Sequence, residues 1–243
     1  MKIAILGYGK MGKEVEKIAL SRKHEIVLKI DIDNLHEFTK TKLQSADVAI
    51  DFSIPTSAYN NILKCFEADI PIVSGTTGWL DKFDEVIAVC QKQHKSFFYA
   101  SNYSIGVNLF FHLNKQLARL MSKMPAYNVS IEEIHHVHKL DAPSGTAITL
   151  AKGIMEYISR KKNWKLNTPD KEDIINITAK REDEVPGIHT INYESDVDSI
   201  EIKHTAKSRK GLAFGAVLAA EYIIGKKGYH TMDDLLKLDD LKG

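Results

Sequence analysis

The chain has 243 residues, and its 33 Lys and Arg against 32 Asp and Glu leave a formal charge of +1, without the basic excess that non-specific nucleic-acid binding draws on. A hydrophobic share of 44% is enough to build a core, so a disordered chain is excluded, and 14 Gly with 6 Pro exclude a collagen-like one. Two cysteines, Cys65 and Cys90, cannot staple a disulfide framework, and no apolar run approaches the roughly 18 to 20 residues that a membrane span needs.

In chain order, residues 2–6 are a short apolar run expected to be a strand, stopped by Gly7-Tyr8-Gly9-Lys10-Met11-Gly12. Val15, Ile18 and Ala19 follow at helical spacing, and 25–30 reads as a second strand ending at Asp31. After a polar segment come a strand at 47–52, a helix at 57–67, a strand at 71–74 and Gly75-Thr76-Thr77-Gly78. A helix over 80–94 and a strand over 96–100 complete a β-α alternation that implies a parallel sheet. Beyond residue 102 the rhythm changes. A helix is expected over 105–121, with Val107, Phe110, Phe111, Leu117 and Leu120 as its apolar positions, and a strand over 128–136. A helix opens near Pro143-Ser144 and runs to about Ile158, with Ser144 or Asp141 as N-cap, and strands follow at 174–180, 187–194 and 198–204. Arg160-Lys161-Lys162 reads as a solvated helix end, and an Ala- and Gly-rich helix over 211–224 reads as buried. The N-terminus passes straight from Met1 into a strand without the segments of a signal peptide, so a cytoplasmic location is expected.

The spacing Gly7-x-Gly9-x-x-Gly12 gains meaning from its place between a strand and a helix, with Asp31 nineteen residues on. Glycines let the backbone turn tightly and approach a pyrophosphate, the helix N-terminus favours negative charge, and the carboxylate suits a ribose diol. A carboxylate there repels a 2′-phosphate, which favours NADH, while Lys10 and Lys29 soften the exclusion of NADPH. Gly75, Thr76 and Thr77 after the fourth strand, and Ala100, Ser101, Asn102 and Tyr103 after the fifth, stand where open parallel sheets bind ligands.

The segment Glu132-Glu133-Ile134-His135-His136-Val137-His138-Lys139 followed by Asp141-Ala142-Pro143-Ser144-Gly145-Thr146 is the most informative. A metal site, ordinary structural histidines, and an acid/base and anion site all draw on such residues. The histidines lack helical His-x-x-x-His spacing and a neighbouring Cys cluster, which counts against metal. In a continued strand, His136 and His138 would share one face and His135 and Lys139 the other. Imidazole titrates near neutrality and ammonium carries a proton to give, while Gly145 and Thr146 in a first helical turn suit a carboxylate. Together they indicate a small, multiply anionic substrate.

These segments, with Ser104 to Asn108 and the Ser208-Arg209 and Gly215-Ala216-Val217 stretches, resemble the dihydrodipicolinate reductase family in the same order over most of the chain. The glycine loop is one residue shorter than the family's common Gly-x-x-Gly-x-x-Gly, and the segment 33–46 is short. The resemblance implies an α/β chain. A Rossmann-type parallel sheet (1–103 and 210–243) binds the dinucleotide, and a second α+β domain (104–209) with a mixed, mostly antiparallel sheet binds substrate and forms a homotetramer. It implies reduction of a dicarboxylate heterocyclic imine by NADH, NADPH or both. In this assignment His135 is proton donor/acceptor, Lys139 proton donor, His136 a substrate ligand, and Gly145 and Thr146 a carboxylate clamp. Gly7 to Gly12, Asp31, Gly75 to Thr77 and Ala100 to Tyr103 are then cofactor contacts, with no metal, nucleic acid or membrane partner. Two other readings share the glycine loop: a Rossmann dehydrogenase acting on an amino-acid-derived aldehyde, and a dinucleotide sensor without turnover.

Overall fold

The structure is a computed structural model that describes residues 1–169 and 171–238. It divides into two compact units, Met1–Ile105 with Arg209–Gly243, and Gly106–Ser208; residues 239–243 of the expected dinucleotide domain and residue 170 of the other lie outside the described residues.

The first unit is built on a six-stranded parallel sheet. Strands β1 (Lys2–Leu6), β2 (Glu25–Ile30), β3 (Val48–Asp51), β4 (Ile72–Ser74), β5 (Ser96–Tyr99) and β11 (Gly228–His230) stand in the order β11-β5-β4-β3-β1-β2. Helices α1 (Lys10–Ser21), α3 (Pro55–Glu67), α4 (Phe83–Lys92) and α7 (Lys210–Ile223) cover it. The central strands are apolar almost throughout because both faces are covered, as parallel sheets require. Two core clusters result, one led by Ala49, Ile62, Phe66 and Phe97, the other by Ile5, Val15, Ile50 and Val217.

The expected 80–94 helix is a 3-10 turn at Leu80–Lys82 followed by α4. The polar segment after Asp31 holds a 3-10 stretch, Ile32–Glu37, and a single helical turn, α2 (Lys40–Leu43). Strand β11 and the short α8 (Met232–Leu236) carry too few residues for a periodic signal.

The second unit holds a mixed five-stranded sheet in the order β10-β9-β6-β8-β7: β6 (Asn128–His135), β7 (Asn163–Leu166), β8 (Ile174–Arg181), β9 (Gly187–Glu194) and β10 (Ser199–Ala206). The antiparallel ladders β6-β9 and β9-β10 are longer than the parallel ladders β6-β8 and β7-β8. Helices α5 (Ile105–Met121) and α6 (Gly145–Met155) pack on one face around Ile131, Ile177, Ile191 and Leu150.

Three local expectations need correction. Leu120 is 68% exposed, because the inward stripe of α5 runs Val107, Phe110, Asn114, Ala118, Met121. Lys161 is buried rather than solvated; its ammonium donates to Asn128 Oδ1 at 2.6 Å and to the Lys171 and Ile174 carbonyls, each at 2.9 Å. The strand at 128–136 ends at His135, where the chain turns (Lys139 N–H to His136 C=O, 3.1 Å), so strand alternation does not govern His136 to Lys139.

Helix α7 returns the chain to the first unit along a row of small residues, Ala213, Gly215, Ala216, Ala219 and Ala220, all buried. A Cβ on Gly215 would fall 1.8 Å from the Tyr103 carbonyl oxygen, so the helix sits as close as it does only because that side chain is missing. Gly215→Ala is expected to lower unfolding free energy by about 1–3 kcal/mol, as overpacking does, which urea titration measures.

Candidate active site

In the first unit, the turn from β1 into α1 is shaped by two contacts. Gly7 has φ +85° and passes against the Phe52 carbonyl, and a Cβ on Gly12 would fall 2.2 Å from the Gly7 oxygen. Gly9, the N-cap of α1, faces open space instead. The first-turn N–H groups have no intrahelical acceptor, so this opening is suited to a pyrophosphate. A cavity of about 360 Å³ lies beside it, lined by Gly9, Lys10, Met11, Gly75, Thr76 and Thr77 among others. A larger one of about 680 Å³ takes in Tyr8, Lys29, Asp31, Asn34 and Lys42. Asp31 is exposed and starts the 3-10 stretch as its cap, with Oδ1 accepting from Ile32 N–H at 2.9 Å. Lys29 is held by Glu16 at 3.3 Å and lies over the Tyr8 ring at 4.8 Å. Tyr8 in turn donates to Glu16.

Asp51, at the end of β3, was not picked out from the sequence. Its carboxylate is fully buried and accepts from Thr76 Oγ1 at 2.8 Å, Ser74 Oγ at 2.9 Å and Asn61 Nδ2 at 3.0 Å. Burial pushes its pKa up and these hydrogen bonds pull it down. The Thr76 hydroxyl is therefore committed to holding its loop, which leaves the exposed Thr77 and the backbone to face a ligand. Tyr103 is likewise committed: its ring is buried and its hydroxyl donates to the Ser74 carbonyl at 2.7 Å. Of the neighbouring residues, Ser101 is exposed, Ala100 is half-buried, and the Asn102 side chain accepts from Ser104 N–H at 2.9 Å.

In the second unit the inward face of β6 reads Val129, Ile131, Glu133, His135: two core residues, then two polar ones. Strand register sets Glu133 opposite His189 on β9, and His189 opposite His204 on β10. The Glu133 carboxylate has no exposed surface; it accepts from Ser144 N–H at 2.9 Å and pairs with Arg181 at 3.4 Å. Arg181 also donates to the carbonyls of Lys139 and Asp141. Ser144 caps α6 through Ala147 N–H and lies 3.1 Å from His189 Nε2, which is 3.3 Å from His135 Nε2. Burial, with the charges of Lys139 and Arg181 opposing Glu133, lowers the His135 pKa; burial takes His189 to about 3.

The other expected residues lie in the segments that follow. Lys139 is mostly covered, with its ammonium between both Asp141 oxygens at 2.6 and 2.8 Å. His136 is half-buried, and its Nδ1 is enclosed without a protein partner. Gly145 is exposed, facing open space at the start of α6, with Thr146 half-buried beside it. Sequence reasoning did not assign roles to His189 and Arg181, whose only sequence signal was a polar residue at an inward strand position. Among the described residues, Glu133, His135 and His189 also form a group whose ligand atoms all lie within 4.8 Å of one another. The adjacent positive charges of Arg181 and Lys139 weigh against a cation there.

Comparison with known proteins places this geometry. Residues 1–103 match the family described as dihydrodipicolinate reductase, N-terminus, and residues 106–236 match dihydrodipicolinate reductase, C-terminus. The chain is 54% identical over 237 residues to the 4-hydroxy-tetrahydrodipicolinate reductase of Christiangramia forsetii, covering 97% of this chain and 98% of that one. It is 34% identical over 229 residues to the enzyme of the same name from Neisseria meningitidis serogroup C, covering 91% and 81%. Among solved structures it is similar in fold to a dipicolinate-bound dihydrodipicolinate reductase from Paenisporosarcina sp. TG-14, with TM-score 0.76, 22% identity, and 95% and 97% coverage. A more distant likeness, TM-score 0.56 at 10% identity over 98% and 93%, is to a probable dehydrogenase from Thermotoga maritima. With both halves of the chain matched and a relative of this identity aligned along nearly its full length, the chain belongs to the dihydrodipicolinate reductase family.

Proposed function

We propose that this chain reduces 4-hydroxy-tetrahydrodipicolinate to tetrahydrodipicolinate with NADH or NADPH, in diaminopimelate and lysine biosynthesis. The observation that carries the proposal is the near full-length match to a reductase of that name. The segment from His135 to Thr146 adds an acid group, an ammonium and an open helix N-terminus within one unit. The aldehyde-dehydrogenase and sensor readings account for the glycine loop but give that segment no task.

The reduced nucleotide supplies the hydride when bound. The residues present fit it: an open approach at Gly9, a helix N-terminus for the phosphates, and an exposed carboxylate at Asp31 beside the larger cavity. Asp31 disfavours a 2′-phosphate, while Lys29 and Lys42 in the same cavity temper that effect. NADH is therefore the preferred donor and NADPH an accepted one.

On the second unit, Gly145 and Thr146 receive one substrate carboxylate at the α6 N-terminus, and His136 offers its unpartnered Nδ1 to the substrate. Lys139 exchanges Asp141 for substrate and gives the proton that the reduced ring requires. His135 stands beside that transfer as proton donor or acceptor, and the burial that lowers its pKa favours the neutral ring between turnovers. A homotetramer through the second unit's sheet, and a cytoplasmic site of action, complete the proposal. The assembly draws its support from the family resemblance and from a sheet whose described helices pack on one face only.

Consumption of reduced nucleotide with freshly generated cyclic substrate, and none with amino-acid-derived aldehydes, is the expected outcome; the reverse pattern overturns the assignment. Lys139→Ala should lower kcat by about 10²–10⁴-fold with little change in nucleotide affinity, measured by steady-state kinetics and nucleotide titration. Asp31→Ala should raise the KM for NADH more than that for NADPH, and an opposite ratio would place the ribose elsewhere. Sedimentation should give four times the 27.3 kDa chain mass.

A further inference from the structure

A second imidazole stands behind His135. His189 is 4% exposed, and its ring meets that of His135 edge to face, with centroids 5.0 Å apart. Its Nε2 is 3.3 Å from His135 Nε2, 3.1 Å from Ser144 Oγ and 3.8 Å from Glu133 Oε2. Burying a ring with polar nitrogens is costly where an apolar one would fill the space, so its hydrogen bonds have to account for it.

The neighbours of His135 determine where its proton sits. A Cβ on Gly187 would fall 3.3 Å from its Nδ1 and 3.8 Å from its Nε2, so Nδ1 is the nitrogen on the Pro186–Gly187 side. Pro186 has no N–H and hydrogen-bonds the ring through its carbonyl, which only accepts. A neutral His135 with its proton on Nδ1 has a bare Nε2. The atom facing that lone pair is His189 Nε2, which therefore carries the hydrogen.

We propose that His189 is a positioning residue: its Nε2–H, shared between His135 Nε2 and Ser144 Oγ, pins His135 in the Nδ1–H tautomer and fixes the plane of its ring. The proposal rests on the reading of His135 as the proton-handling imidazole: with Nε2 taken by His189, its Nδ1–H is the group that leaves the Pro186 carbonyl for substrate. The groups facing the pair are Glu133 on β6, Lys139 and Asp141 in the turn that follows, Ser144 at α6, Arg181 on β8 and His204 on β10. Burial with Lys139 and Arg181 against Glu133 favours a neutral His135, and burial, the largest cause, together with the charge of Lys139 favours a neutral His189. A tautomer lock requires both rings neutral.

The test begins with imidazole ¹H–¹⁵N spectra of the full chain, free of substrate, at pH 7. His135 is expected as a single Nδ1–H tautomer and His189 with its proton on Nε2; an averaged or Nε2–H His135 overturns the proposal. His189→Gln, whose amide N–H reaches the same place, should keep the His135 tautomer and most of kcat. His189→Leu should leave the His135 signals averaged and lower kcat at least about tenfold, with both KM values within about twofold. A folded Leu variant with unchanged kcat, or one altered only in KM, overturns it. If the Leu variant does not fold, the wild-type spectrum and the Gln variant decide. Because the tautomer is read without substrate, a chain that shows it but fails to turn over the cyclic imine loses the function and keeps the lock; a chain that turns over with an unpinned His135 does the opposite.

Discussion

A carboxylate cut off from water has to be answered by donors, and Glu133 is where the second unit meets that demand. Left unpaired, such a charge costs several kcal/mol, so the donors around it are held in place as firmly as the fold itself. Its partners come from two directions, the backbone N–H of Ser144 at the start of α6 and the guanidinium of Arg181 on β8, while the rings of His135 and His189 lie 3.8 Å from it. Meeting the demand sets the angle at which α6 begins, and with it the positions of Gly145 and Thr146. Arg181 goes on to hold the carbonyls of Lys139 and Asp141, so the same charge also shapes the turn that carries the ammonium. Chemistry and stability share one anchor here.

The first unit uses the same device in a milder form. Asp51 gathers the hydroxyls of Ser74 and Thr76 and the amide of Asn61, and so fixes the loop after β4 to α3. The loop that would face a nicotinamide is thus rigid from beneath, while Gly9 and Thr77 present an unobstructed edge. Buried acids, Asp51 at the end of β3 and Glu133 within β6, position both sets of residues proposed to face ligands, by hydrogen bonds to neutral donors in one case and by an added ion pair in the other.

What could be seen in the sequence, and what could not, follows from the range of the interactions. Strands β1 and β3 to β5 are short, mostly apolar runs ended by glycine or polar residues, and β2 is one interrupted only by Lys29; this is a local signal, and their order of appearance implies the parallel sheet. Helix α5 was legible end to end, yet Leu120 was assigned inward because apolar character alone does not say which side of a helix faces the core. Glu133 and His189 are 56 positions apart and become neighbours only when β6 and β9 pair in one particular register. Lys161 finds its acceptors on other segments, so a run of three basic residues looked like surface. The residues matched to a motif were visible; those that hold them depend on pairings that no local window contains.

The split first unit bears on how the chain is made. Its sheet is missing an edge, and its helical cover is missing α7, until residues 210–230 leave the ribosome, whereas the unit between 106 and 208 is by then complete. The later-encoded body therefore has everything it needs to settle first, and the nucleotide-facing one stays unfinished until α7 and β11 emerge. Loss of the segment that carries α7 and β11 thus strikes the unit built from residues 1–105.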